Sequence, residues 1–131
     1  RAPGVRVIAV QSEASAYLHH LYYTGSQADV IESDSLADGL SGAVENGAMT
    51  IPLVRKNVDE FLLVSEEEIG RAISFAWRRY GEKIEGSAAV ALAAARKRNP
   101  QDGPAAVILS GGNIQAEVHA ALLSRYPREG E

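Results

Sequence analysis

The sequence predicts an α/β fold in which a parallel sheet is flanked by helices. Three observations carry that prediction. Short apolar runs rich in β-branched residues stand at Val5–Val10 (VRVIAV), Glu60–Val64 (EFLLV) and Ala105–Leu109 (AAVIL), the pattern of strands buried in a sheet. Segments of helical period separate these runs, and such alternation is the signature of a parallel layer. The 131 residues fit a single α/β segment, 1–131, with one hydrophobic core. No internal repeat, low-complexity stretch or linker divides it.

Taken in order, VRVIAV opens the sheet, and its start only four residues into the chain reads as a start within a fold. Glu13–Tyr23 follows as a helix, with Ala16, Leu18, Leu21 and Tyr22 on an imperfect apolar face. Residues Thr24–Asp34 are turn-rich, with a short extended piece at Val30–Ile31, and Ser35–Gly42 (SLADGLSG) is a glycine-bearing loop. Ala48–Asn57 reads as a helix with Pro52 in its first turn, where a missing N–H is tolerated. After the strand EFLLV comes the clearest local signal, SEEEIGRAISFAWRRYG. Ser65 is an N-cap with Glu68 three residues on, a capping box. Ile69, Ala72, Ile73, Ala76, Trp77 and Tyr80 recur at helical spacing, and Gly81 closes the helix. Three glutamates in the first turn and Arg78-Arg79 in the last both complement the helix dipole. Gly86–Arg98 has small residues on every face and predicts a closely packed, buried helix. Asn99–Pro104 is a surface turn, AAVIL a further strand, and Ile114–Tyr126 a closing helix.

Composition narrows the function classes. A net charge of −4 lacks the basic stripe of a nucleic-acid surface. No apolar run approaches the roughly 20 residues of a membrane span, and no secretory signal is visible at Arg1. The chain has no cysteine, which removes disulfides and thiolate metal sites and fits a cytoplasmic protein.

Three loop-edge stretches invite a ligand: LADGL, KIEGSAA and LSGGN. Each has an ordinary reading. Gly111-Gly112 after a strand is commonly a tight turn, Asp38-Gly39 is a common turn dipeptide, and a carboxylate such as Glu85 is favoured beside a helix N-terminus. The other polar clusters read as structural. His19 and His20 are adjacent on a helix and diverge, His119 is distant in the chain, Glu66-Glu67-Glu68 is a helix start, and Trp77 belongs to the apolar stripe of the core.

In combination the stretches say more. SLADGLSG, DEFLLVSEEEIGRAI, KIEGSAAVALAA and VILSGGNI, in that order, resemble the C-terminal part of the threonine dehydratase and serine racemase family, the fold-type-II (tryptophan synthase β-like) enzymes that use pyridoxal phosphate. The resemblance spans about Val5 to Ile114. It implies that the chain is a portion of the large catalytic domain, and it assigns roles by position. Ser110 matches the serine that hydrogen-bonds the pyridine nitrogen of the cofactor. Gly111 and Gly112 match the glycines that keep the backbone clear of the ring, and Asn113 braces the loop. Gly39 matches the glycine whose backbone lies beside the ring, and Glu85 a glutamate near the ring edge. A neutral hydroxyl partner leaves the ring nitrogen largely unprotonated, which suits elimination or racemisation at an amino acid's α-carbon.

Two family features have no counterpart. Lys56, Lys83 and Lys97 lie in helical or helix-end contexts, so no Schiff-base lysine is expected, and the glycine-rich loop that cradles the cofactor phosphate is not found. Catalytic residues are therefore expected outside this chain, in a missing N-terminal half, and the segment alone is expected to be inactive. Many relatives bind a divalent cation through a glutamate where Gln11 stands here, and a neutral amide is a poorer ligand for a hard cation; no metal site is expected. The implied complete protein is a homo-oligomeric lyase that removes the β-hydroxyl of a hydroxy-amino acid to give a keto acid and ammonia. The alternative is a non-catalytic α/β module that binds a small ligand or a partner chain through the same crevice.

Overall fold

The computed structural model describes residues 4–127. Strands β1 (Ile8–Ser12) and β2 (Glu60–Val64) pair in parallel, with Ile8 opposite Glu60 and Ser12 opposite Val64. The first strand thus begins three residues later than expected and runs two residues further. One extra rung precedes it: Asp59 N–H donates to the Val7 carbonyl at 2.9 Å, and Val7 N–H donates to the Asp59 carboxylate at 2.7 Å. Because a side chain takes the Val7 donor there, the regular ladder goes no further.

The expected helix over 13–23 is divided. Ser12 Oγ accepts from Ala14 N–H and caps a 3-10 turn, Glu13–Ser15, after which α1 (Tyr17–Thr24) starts afresh beyond Ala16. Helix α1 has a specific task at the sheet. The Tyr23 hydroxyl accepts from Phe61 N–H at 3.0 Å and donates to Phe61 O at 3.2 Å. Both backbone groups of a β2 residue are thereby satisfied on its outer edge, which would otherwise stand open to pairing.

Helix α2 (Thr50–Asn57) carries Pro52 in its first turn, where a proline is tolerated. Helix α3 (Glu66–Tyr80) forms as the sequence predicts, with both halves of the capping box made and Gly81 at a left-handed φ of 71° closing it. Helix α4 (Gly86–Arg96) packs its small residues against α3, where Ala72 and Ala76 face Ala89 and Ala93 within one buried cluster. Helix α5 (Ala116–Arg125) completes the layer through Leu122, next to Tyr126 at its end. Alanine-rich faces let these helices approach closely, so the core is built from many small contacts around Val64, Ile69 and Ile73.

Three expectations are corrected. Residues 105–109 form no strand: they are extended but pair with no described residue, and Ile108 is 79% exposed. An apolar β-branched run becomes a strand only where a neighbour accepts its hydrogen bonds, and β2 is the one strand paired with β1 among the described residues. Trp77 is not core. It is 43% exposed, because the buried stripe of α3 is the narrower one of Ile69, Ala72, Ile73 and Ala76, with Trp77 at its margin. Val30–Ile31 also joins no strand, and Ile31 is exposed.

Candidate functional site

The segments expected to carry chemistry converge on the first turn of α4. Glu85 is the N-cap residue of that helix, and its carbonyl accepts the first intrahelical bond from Ala89 N–H at 3.0 Å. Its backbone N–H points the other way and donates to Gly111 O at 3.1 Å. Its side chain does not cap the helix; the carboxylate accepts instead from Asn113 N–H at 2.9 Å. Glu85, Gly111 and Asn113 are therefore held together by two hydrogen bonds.

The glycines follow from this closeness. A Cβ on Gly111 would collide with the Glu85 carboxylate, and one on Gly112 would stand 2.9 Å from the Lys83 carbonyl. Residues 111–112 must be glycine for the loop to lie on residues 83–85. A Cβ on Gly39 would meet Ser87 Oγ at 2.8 Å, so the Ala37–Ser41 turn rests on the same first turn of α4 one residue further on. Gly86 is more constrained still, since the Leu36 backbone occupies the space its Cβ would need. Gly39 and the loop 111–113 are thus brought against consecutive residues of one helix start.

Ser110 precedes this clamp. It is exposed, and its hydroxyl has no hydrogen-bond partner among the described residues. Ser87 Oγ, by contrast, is buried without a partner. Gly86, Ser87 and the Lys83 carbonyl are components that pattern-reading missed; only the Gly-Ser that follows Glu85 in KIEGS signalled a tight helix start.

The remaining candidates take structural positions. Lys56, Lys83 and Lys97 are all exposed, and Lys97 pairs with Glu68 at 2.8 Å. That pairing lowers the Glu68 carboxyl against a burial that would raise it. His19 packs edge-on against Tyr23, and its pKa is lowered by burial and then by His20. His20 Nδ1 instead lies 2.8 Å from Ser26 O. Gln11 is buried, and its Oε1 accepts from His19 N–H at 2.8 Å. Among the described residues no three His, Cys, Asp or Glu side chains group as metal ligands. An open groove of about 410 Å³ between Ser35, Glu66, Leu122 and Arg125 shares none of the clamp's residues.

A parallel α/β layer whose helix start gathers a Ser-Gly-Gly-Asn loop defines a class, and comparison with known proteins gives the class its family. The chain belongs to the pyridoxal-phosphate dependent enzymes, whose family model matches residues 1–111. It is 37% identical over 125 residues to L-threonine ammonia-lyase of Geobacter sulfurreducens, an alignment covering 94% of this chain and 31% of that one. A bacterial threonine deaminase from T.th. superposes with a TM-score of 0.73 at 30% identity, over 87% of this chain and 42% of that one. Serine racemase of Dictyostelium discoideum superposes with a TM-score of 0.69 at 30% identity, over 86% and 36%. The fold is that of the fold-type-II enzymes, and the chain spans well under half the length of these relatives. Among the described residues no helix is long and apolar enough to cross a membrane.

Proposed function

We propose that the chain is the C-terminal part of the catalytic domain of a pyridoxal-phosphate-dependent ammonia-lyase, which removes the β-hydroxyl of a hydroxy-amino acid and yields a keto acid and ammonia. The observation that carries this reading is the unpartnered Ser110 hydroxyl, set beside a glycine loop clamped to Glu85, in a chain 37% identical to an L-threonine ammonia-lyase. L-Threonine is the first substrate to try, with L-serine and threo-3-hydroxyaspartate next. Similarity to an L-threo-3-hydroxyaspartate ammonia-lyase (29% identity) and to a serine racemase (35% identity) supports these two.

The residues present fit a flat aromatic ring bearing a nitrogen acceptor. Ser110 offers a neutral O–H donor, and Gly39, Gly111 and Gly112 offer backbone without side chains on either flank. Pyridoxal phosphate, when bound, supplies the electron sink that makes the α-proton of an amino acid acidic. Ser110 would donate its hydroxyl hydrogen to the ring nitrogen, which keeps that nitrogen free of a formal proton. Gly39 would leave room beside the ring, and Glu85 and Asn113 would keep the loop in place. The lysine and the phosphate-binding loop lie in the N-terminal half in this reading, so the 131 residues alone do not turn over. The complete protein assembles as a homo-oligomer and works in the cytoplasm.

The test is the full-length protein loaded with pyridoxal phosphate and assayed for ammonia and keto acid with each of the three substrates. Turnover of at least one supports the reading, and Ser110→Ala should then cut kcat/KM by about tenfold or more, as loss of a hydrogen bond at the cofactor implies. A full-length protein that binds no pyridoxal phosphate overturns it and favours the non-catalytic module.

A further inference from the structure

We infer that Glu85 is a positioning residue: its side chain stands in for a backbone carbonyl and fixes the loop that presents Ser110. This rests on the ammonia-lyase reading of the site and extends it. Residues 85 and 111–113 approach as two neighbouring strands would, with Glu85 N–H donating to Gly111 O at 3.1 Å. In a regular ladder the carbonyl of residue 85 would take the next donor of the opposite chain. Here that carbonyl is committed to α4, where it accepts from Ala89 N–H. Asn113 N–H would be left without an acceptor.

The Glu85 carboxylate takes that place at 2.9 Å, while its Cγ and Cδ lie flat against Gly111. The side chain is spent on the loop at the expense of the helix, since α4 has no side-chain cap although Glu85 holds the N-cap position, with φ −85° and ψ 167°. Serine, aspartate or asparagine at that position would cap the helix and be too short for Asn113. Glutamate is the choice that favours the loop over the helix. Ser110 lies one residue from this clamp on the chain, so the clamp sets where its hydroxyl points.

Two variants of the full-length protein separate loop positioning from general stability. Glu85→Ser supplies a helix cap and removes the reach to Asn113. Glu85→Gln keeps an acceptor oxygen of the same length without the charge. In cofactor-free protein, amide exchange at Asn113 should speed up about tenfold in Glu85→Ser, while the thermal midpoint is unchanged or raised. The Kd for pyridoxal phosphate should weaken about tenfold in the same variant. Glu85→Gln should stay within about threefold of wild type in both readouts. Wild-type exchange and affinity in Glu85→Ser, or equal loss in the two variants, would overturn the inference. A wild-type protein that binds no pyridoxal phosphate sinks the ammonia-lyase reading instead, and the exchange comparison still decides the clamp.

Discussion

Gly70, in the second turn of α3, lies against the ring of Tyr126 at the end of α5: a Cβ on Gly70 would stand 2.5 Å from Tyr126 Cε2 and 3.2 Å from Leu122 Cδ2. Ser74, one turn on, donates its hydroxyl to Tyr126 O. The last turn of α5 is therefore seated by a missing methyl and a buried hydrogen bond together. Gly70→Ala in the full-length protein should lower stability by about 1–3 kcal/mol, the usual range for overpacking a tight contact. Helix propensity alone would favour alanine by about 1 kcal/mol. A urea midpoint that rises would show that Tyr126 simply swings aside.

Neighbouring glutamates at the start of α3 should behave very differently. Glu66 accepts from Ser35 Oγ at 2.7 Å, from Leu36 N–H at 2.6 Å and from Ser12 Oγ, joining the end of β1 to the loop before Gly39. Glu67 only pairs with Arg71 on the exposed face. Glu66→Ala leaves three donors without their acceptor and should cost about 2–3 kcal/mol, whereas Glu67→Ala should stay within about 0.5 kcal/mol. Equal urea midpoints for the two variants would refute the distinction.

Acid should loosen α5. His119 is buried with Nε2 unpartnered, edge-on to Trp77, and its pKa is lowered by burial and then by the Lys83 charge. The unfolded chain takes up this proton near pH 6.5, while the folded chain resists it. Stability is thus lost as the pH falls below about 6.5, and the loss is complete below the lowered folded-state pKa. Thermal midpoints of wild type and His119→Phe, compared from about pH 8 to about pH 5, should diverge, with the variant losing less. Parallel curves would mean that His119 titrates as it does unfolded.

The clamp can be tested from its other side. Gly111→Ala puts a methyl onto the Glu85 carboxylate, so it should raise the pyridoxal phosphate Kd of the full-length protein. In a Glu85→Ala background the same methyl meets open space. The two changes should then be non-additive by about 1 kcal/mol or more, the coupling expected of residues in direct contact. Additive effects in a double-mutant cycle would place the two residues' roles apart.

Local sequence determined much of this molecule. Helix α3 was legible because Ser65, Glu68 and Gly81 supply its ends from within one segment, and α4 because small residues on every face leave only burial. The family was legible because four motifs stand in a set order. Only the tertiary structure decided the site's working contacts. The carboxylates of Glu66 and Glu85 reach partners up to 54 and 28 residues away, and in both cases the helix beginning there seemed reason enough for an acidic residue. It also decided that AAVIL is no strand here and that Trp77 is no core residue. Propensity and period describe what a segment can do alone, whereas strand pairing and burial belong to the neighbour it meets.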